Sequence, residues 1–112
     1  MEITTRRVGE CIVLDCSGLL TLGSASLALR EAIREGARQG TLKVALNLKD
    51  VPSMDSGGLG EIISGYVHVI NQGGKLVFLN PPKKFLRVIA NMKLAAIFDV
   101  YDDEQKALEG CG

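Results

Sequence analysis

The chain has 112 residues, with 13 Lys and Arg against 13 Asp and Glu. Zero net charge excludes the basic footprint of generic nucleic-acid binding and the like-charged tails that extend a chain. Two Tyr, three Phe and no Trp leave no stacking platform for single strands, while the length suits one domain, residues 1–112, whose core needs no metal or disulfide staple.

In chain order, "EITTRRV" alternates weakly and predicts an edge strand, and Gly9-Glu10 marks a tight turn. "CIVLDCS" is apolar and β-branched, as a buried strand requires. Cys11 and Cys16 lie an odd number of residues apart there, so they point to opposite faces and do not pair. Cys111 is expected in a mobile tail, and all three as reduced cytosolic thiols without metal spacing. After the loop "GLLTLGS" the period becomes helical. Leu29, Ala32, Ile33, Gly36 and Ala37 share one face, with Ser24 as N-cap and Gly40 as the stop.

"TLKVALNL" is a second buried strand, with Leu42, Val44, Leu46 and Leu48 on one side. A second helix follows Ser56, with Leu59, Ile62, Ile63, Tyr66, Val67 and Ile70 as its apolar stripe and Gly73-Gly74 at its end. "KLVFL" is a short strand. Pro81-Pro82 opens a third helix, with proline at its first position and Phe85, Val88, Ile89 and Met92 as its stripe. "AIFDVY" is a candidate last strand and "DDEQKALEG" a final helix with acids at its start. The expected fold class is α/β. It comprises a mixed, largely parallel sheet of four to five strands with about four helices, an opening β-hairpin followed by βα units. Right-handed crossovers then place the loops "GLLTLGS" and "VPSMDSGG" at one edge of the sheet, where α/β folds put their sites. "MEITTRRVGE" has no apolar signal core and no run approaches the roughly 20 apolar residues of a membrane helix. A cytoplasmic protein without direct membrane insertion is expected.

The stretch "VPSMDSGGLGEIISGY" concentrates what is unusual. Asp55 or Ser56 is placed to cap the helix. Gly57, Gly58, Gly60 and Gly65 each disfavour a helix interior by roughly 1 kcal/mol relative to alanine, so close backbone approach by a neighbour or a partner should offset them. On a helical wheel Gly57, Glu61, Ser64, Gly65 and His68 fall away from the apolar stripe. They predict a small, flat docking face with Ser56 at its rim; an ordinary solvated face is the competing reading. His68 stands 12 residues after Ser56, about 18 Å along a helix, too far to serve it as a base. The elbow G-x-S-x-G and both glycine-rich phosphate fingerprints are absent. No acid–base pair or metal set marks an enzyme, and no cofactor is expected. A phosphate on Ser56, by contrast, would suit a helix start.

"NLKDVPSMDSGGLGEIISGYVHVINQGGKLVFLN" resembles the signature region of STAS domains, specifically the stand-alone bacterial anti-sigma factor antagonists. Their pattern is strand, loop, then Asp-Ser-(Ser/Ala/Gly)-Gly-Leu-Gly opening a helix, and later a Gly-Gly turn. "DSGGLG" matches it from Asp55 to Gly60, with Gly57 where Ser or Ala is more usual. The resemblance implies a switch. An anti-sigma factor that is itself an ATP-dependent serine kinase phosphorylates the serine after the Asp, Ser56 here. The unphosphorylated antagonist binds that kinase and frees the sigma factor; a serine phosphatase acting on phospho-Ser56 restores binding. The implied partner surface is Thr21, Gly23, Ser24, Asp55, Ser56, Gly57, Gly58, Gly60, Glu61 and Ser64. The chain departs from the family at Thr21, where Asp is frequent, and its Leu19, Leu20 and Leu22 make an apolar loop. Those leucines belong either to the core or to a contact with a hydrophobic partner or a second copy. Two further readings stay open: an unphosphorylated STAS module of a signalling scaffold or transporter-associated complex, and a nucleotide- or lipid-binding module.

Overall fold

A computed structural model describes residues 1–38 and 43–112. The apolar runs and periodic segments become β1 (Glu2–Val8), β2 (Cys11–Ser17), α1 (Ser24–Arg38), β3 (Lys43–Asp50), α2 (Ser56–Asn71), β4 (Lys75–Leu79), α3 (Lys83–Asn91), β5 (Val100–Tyr101) and α4 (Glu104–Cys111). Gly40 and Leu42, expected as a helix stop and a strand residue, lie outside the described residues, as does the side chain of Ala37.

The strands form one sheet in the order β1-β2-β3-β4-β5. β1 pairs antiparallel with β2 and all other pairs are parallel. The sheet grows in one direction without reversing, so crossovers of one hand keep their helices on one face. Accordingly Leu29 and Ile33 of α1, Ile62 and Val69 of α2, and Phe85 and Ile89 of α3 share a core with Ile12, Leu14, Val44, Leu46, Leu76 and Phe78. The alternate residues Cys11, Val13, Ala45, Val77 and Leu79 face the other way and are covered by Ala107 and Cys111 of α4. This α/β architecture, five mixed strands and four helices, is the one the periodicities imply.

Several local expectations are corrected. Cys111 is not in a mobile tail: it ends α4, fully buried against the sheet. α1 is capped by Gly23 rather than Ser24, since Leu27 N–H donates to the Gly23 carbonyl and the Ser26 hydroxyl accepts from the Gly23 N–H. Pro82 is the N-cap of α3, one position before its first helical residue. Met92 lies exposed beyond that helix. Only Val100 and Tyr101 of "AIFDVY" are strand; Phe98 instead joins the core in a turn closed by its N–H to the Leu94 carbonyl. Among the described residues no helix is long and apolar enough to cross a membrane.

The largest correction concerns α2. Its buried residues are Gly58, Glu61, Ile62, Gly65 and Val69, while Val67 and Ile70 of the expected stripe are exposed. The helix is turned toward α1 because its small residues let α1 come close. A Cβ built on Gly65 would stand 2.6 Å from Ile33 Cδ1. Apolar periodicity weighs side chains by hydrophobicity, and a glycine that packs without a side chain is invisible to it.

Candidate functional site

The loops after β2 and β3 meet at the C-terminal edge of the sheet, where they extend the parallel pairing beyond the strands. Gly18 N–H donates to Asp50 O (3.0 Å), Leu20 N–H to Ser53 O (3.1 Å) and Asp55 N–H to Leu20 O (3.2 Å). Leu20 and Met54 form a parallel bridge. Leu20 is fully buried, whereas Leu19 and Leu22 are exposed, Leu22 by 75%. The apolar loop is thus divided: one leucine anchors it and two face solvent.

Asp55 locks this junction. Its carboxylate accepts the Gly58 N–H at 2.7 Å and the Leu22 N–H at 3.1 Å. One side chain therefore caps α2 and holds the neighbouring loop. The Gly58 amide, then that of Leu22, hold the carboxyl below the usual Asp range by stabilising its charged form. Two glycines let the loop lie on the helix. A Cβ on Gly58 would fall 2.2 Å from the Leu20 carbonyl oxygen, and one on Gly57 would fall 2.6 Å from Leu22 Cβ. Gly57, which stands where Ser or Ala is more usual, is accounted for by the leucine lying across it.

Ser56 is the first residue of α2 and is exposed. The capping bonds go to Asp55, so of the two candidates the aspartate is the cap. Thr21, Gly23, Ser24, Gly60 and Ser64 are exposed nearby or along the helix, and Gly57 is half-buried. Gly58 and Glu61 are not part of an open face. Gly58 is buried under Leu20, and Glu61, 9% exposed, receives Arg30 of α1 in a two-pronged ion pair (Nε–Oε1 2.8 Å, Nη2–Oε2 2.9 Å). The flat face expected around Gly57, Glu61 and Gly65 is largely occupied by α1 of the same chain. His68 lies at the far end of that seam, beside Arg34.

Two residues of the site had no sequence signal. Arg30 is one of several charges on α1, and only the burial of Glu61 singles it out. Lys84, at the start of α3, donates its ammonium to the Met54 carbonyl at 3.0 Å. It shares with Ser56 a cleft of about 240 Å³ lined also by Met54, Asp55, Leu59, Phe85 and Val88. Among the described residues no three His, Cys, Asp or Glu side chains converge as metal ligands.

The STAS domain model matches residues 2–107. A Thermotoga maritima protein provisionally named an anti-sigma factor antagonist is 29% identical over 102 residues, 91% of this chain and 90% of its own length. The anti-sigma F factor antagonist of Paenibacillus polymyxa is 36% identical over 67 residues, 58% of this chain and 56% of its own. The crystal structure of an antagonist so named from T. maritima superposes with a TM-score of 0.86 at 28% identity, covering 97% of this chain and 93% of that one. The phosphorylated form of the Bacillus cell fate determinant SpoIIAA has the same fold, with a TM-score of 0.80 at 21% identity, covering 99% of this chain and 100% of that one. The chain belongs to the STAS domain family, among the anti-sigma factor antagonists.

Proposed function

We propose that this antagonist is a non-enzymatic cytoplasmic switch whose partner is an anti-sigma factor serine kinase and whose phosphorylation site is Ser56. The observation that carries the reading is the division of labour at the start of α2. Asp55 does the capping, which leaves the exposed Ser56 hydroxyl available on a fixed backbone. The kinase transfers the γ-phosphoryl group of ATP to Ser56 Oγ; the hydroxyl proton is lost and ADP leaves. A serine phosphatase returns the hydroxyl by hydrolysis. The phosphate adds about −1.5 to −2 charge at pH 7 next to Gly57, over which the exposed Leu22 lies, a rim suited to an apolar partner surface. Thr21, Gly23, Ser24, Gly57, Gly60 and Ser64 form that surface with Ser56 and the exposed Asp55, which also caps α2, while the buried Gly58 and Glu61 act from within by holding it in shape.

The test is calorimetric titration of the cognate anti-sigma kinase with the wild-type chain, Ser56→Ala and Ser56→Asp. Ser56→Ala is expected to bind as the unmodified chain does. Ser56→Asp should bind at least about tenfold more weakly, about 1.4 kcal/mol. Equal affinity of the two variants would overturn the reading and favour a constitutive interaction module.

A further inference from the structure

We infer that Lys84 is the residue whose ammonium pairs with the phosphate of phospho-Ser56, across the cleft between the starts of α2 and α3. The inference rests on Ser56 as the modified residue and concerns what this chain does with the phosphate once it is there. Three observations place Lys84 in that role. Its ammonium is already directed to the Ser56 segment, 3.0 Å from the carbonyl of Met54, two residues before the serine. Among the described residues it has no carboxylate partner, although five other ion pairs are formed on this small surface. And it lines the same cleft as Ser56, between the side chains of Leu59, Phe85 and Val88.

In the unmodified protein, therefore, the exposed Lys84 ammonium has one protein acceptor, the neutral carbonyl oxygen of Met54. A phosphate dianion is a far better acceptor for it: ammonium–phosphate hydrogen bonds are shorter and about twice as strong as neutral ones. Ser56 and Lys84 are both exposed at the mouth of a cleft lined by Met54, Asp55, Leu59, Phe85 and Val88, so solvent screens the pair in part and its effect is that of a direct contact at the surface. Asp55, the acid beside the serine, is engaged with the amides of Leu22 and Gly58 and does not compete for the ammonium. Lys84 then releases Met54 and turns to the phosphate. The phosphoserine is drawn over the cleft toward α3, so that the modified state differs from the unmodified one in where its charge is held as well as in having it. The phosphatase must displace Lys84 to reach the phosphorus.

The experiment installs phosphoserine at position 56 during translation, so it does not depend on any kinase. The second ionisation of the phosphate is then followed by phosphorus-31 NMR in the otherwise wild-type chain, in Lys84→Gln and in Lys83→Gln. Lys83 carries the same charge one residue away and serves as the control for a general field. A cation in direct contact favours the dianion, so the midpoint should be lower in the wild-type chain than in Lys84→Gln by about 0.5 unit or more, with Lys83→Gln close to wild type. No difference between wild type and Lys84→Gln, or equal shifts in both variants, would overturn the contact. Neither result touches the reading of Ser56 itself, which stands or falls on kinase binding.

Discussion

Gly58 and Gly60 lie two residues apart in the same helix, and the structure assigns them opposite responses to alanine. A Cβ on Gly58 falls 2.2 Å from the Leu20 carbonyl oxygen and 2.8 Å from its carbon. Both are backbone atoms, held by the Asp55 N–H bond and the Leu20–Met54 bridge, so no side-chain rotation relieves the clash. Overpacking of this kind costs about 3 kcal/mol, the upper end of its usual range, and the gain in helix propensity, below about 1 kcal/mol, offsets only part of it. Gly58→Ala should therefore lose about 2 kcal/mol. Gly60 is exposed, and its Cβ would meet nothing within 4 Å. Gly60→Ala keeps only the propensity gain and should stabilise by about 0.5–1 kcal/mol. At about 4 °C per kcal/mol for a domain of this size, Tm should fall by about 8 °C in the first variant and rise by about 2–4 °C in the second. Urea unfolding monitored by circular dichroism, with thermal melts in parallel, reads both. Equal destabilisation by the two substitutions would refute the reasoning, because it would mean that the glycines are needed for the flexibility of the helix start rather than for its contact with Leu20.

Two further outcomes are expected. The Asp55 carboxyl, followed by carbon-13 NMR, should titrate below an ordinary aspartate; its contribution to stability is present above the unfolded-state value and is lost as pH falls through the depressed folded one. Protection of the Gly58 and Leu22 amides should disappear in the same step, and an ordinary midpoint would show that the lock is not formed. The three cysteines are buried, with Cys16 and Cys111 pushed up to about 12, burial being the main cause, so a disulfide-exchange reagent should label no thiol quickly in the native protein and all three on unfolding. One fast thiol per chain would restore Cys111 to a mobile tail.

The order of elements was legible because each announces itself locally. Alternation and apolar runs mark the strands, a 3.6-residue period the helices, and Gly or Pro the junctions. The signature from Asp55 to Gly60 was legible for the same reason, being contiguous. What escaped depended on contact between distant segments. Glu61 reads as a polar residue on a polar face until Arg30, 31 positions earlier, is brought against it. Gly65 reads as a gap in the helix until Ile33 fills it. The phase of α2 is hidden from periodicity for the same reason, since Val67 and Ile70 carry hydrophobicity without burial while Gly58 and Gly65 carry burial without hydrophobicity. Cys111 gave no warning because a short helix at a chain end has little pattern to display.

These contacts bear on how a switch at Ser56 can work. A phosphate acts either by rearranging the backbone that carries it or by changing the surface of a backbone that stays in place. Here the serine stands between Asp55, bonded to two amides, and Gly58, pressed on the Leu20 backbone. Behind it, α2 is seated on α1 through Gly65–Ile33 and Glu61–Arg30. Moving the start of α2 would break the cap, the loop contact and the bridge together, at a cost of several kcal/mol. The least restrained elements at this edge are side chains: Ser56 itself, the exposed Leu22, and Lys84 with its one carbonyl partner. A modification there changes charge and the position of one or two side chains while the sheet edge keeps its shape. On the function proposed for Ser56, a partner would then discriminate the two states by surface chemistry alone, which would require the modified residue to lie inside the contact area rather than at a distance from it.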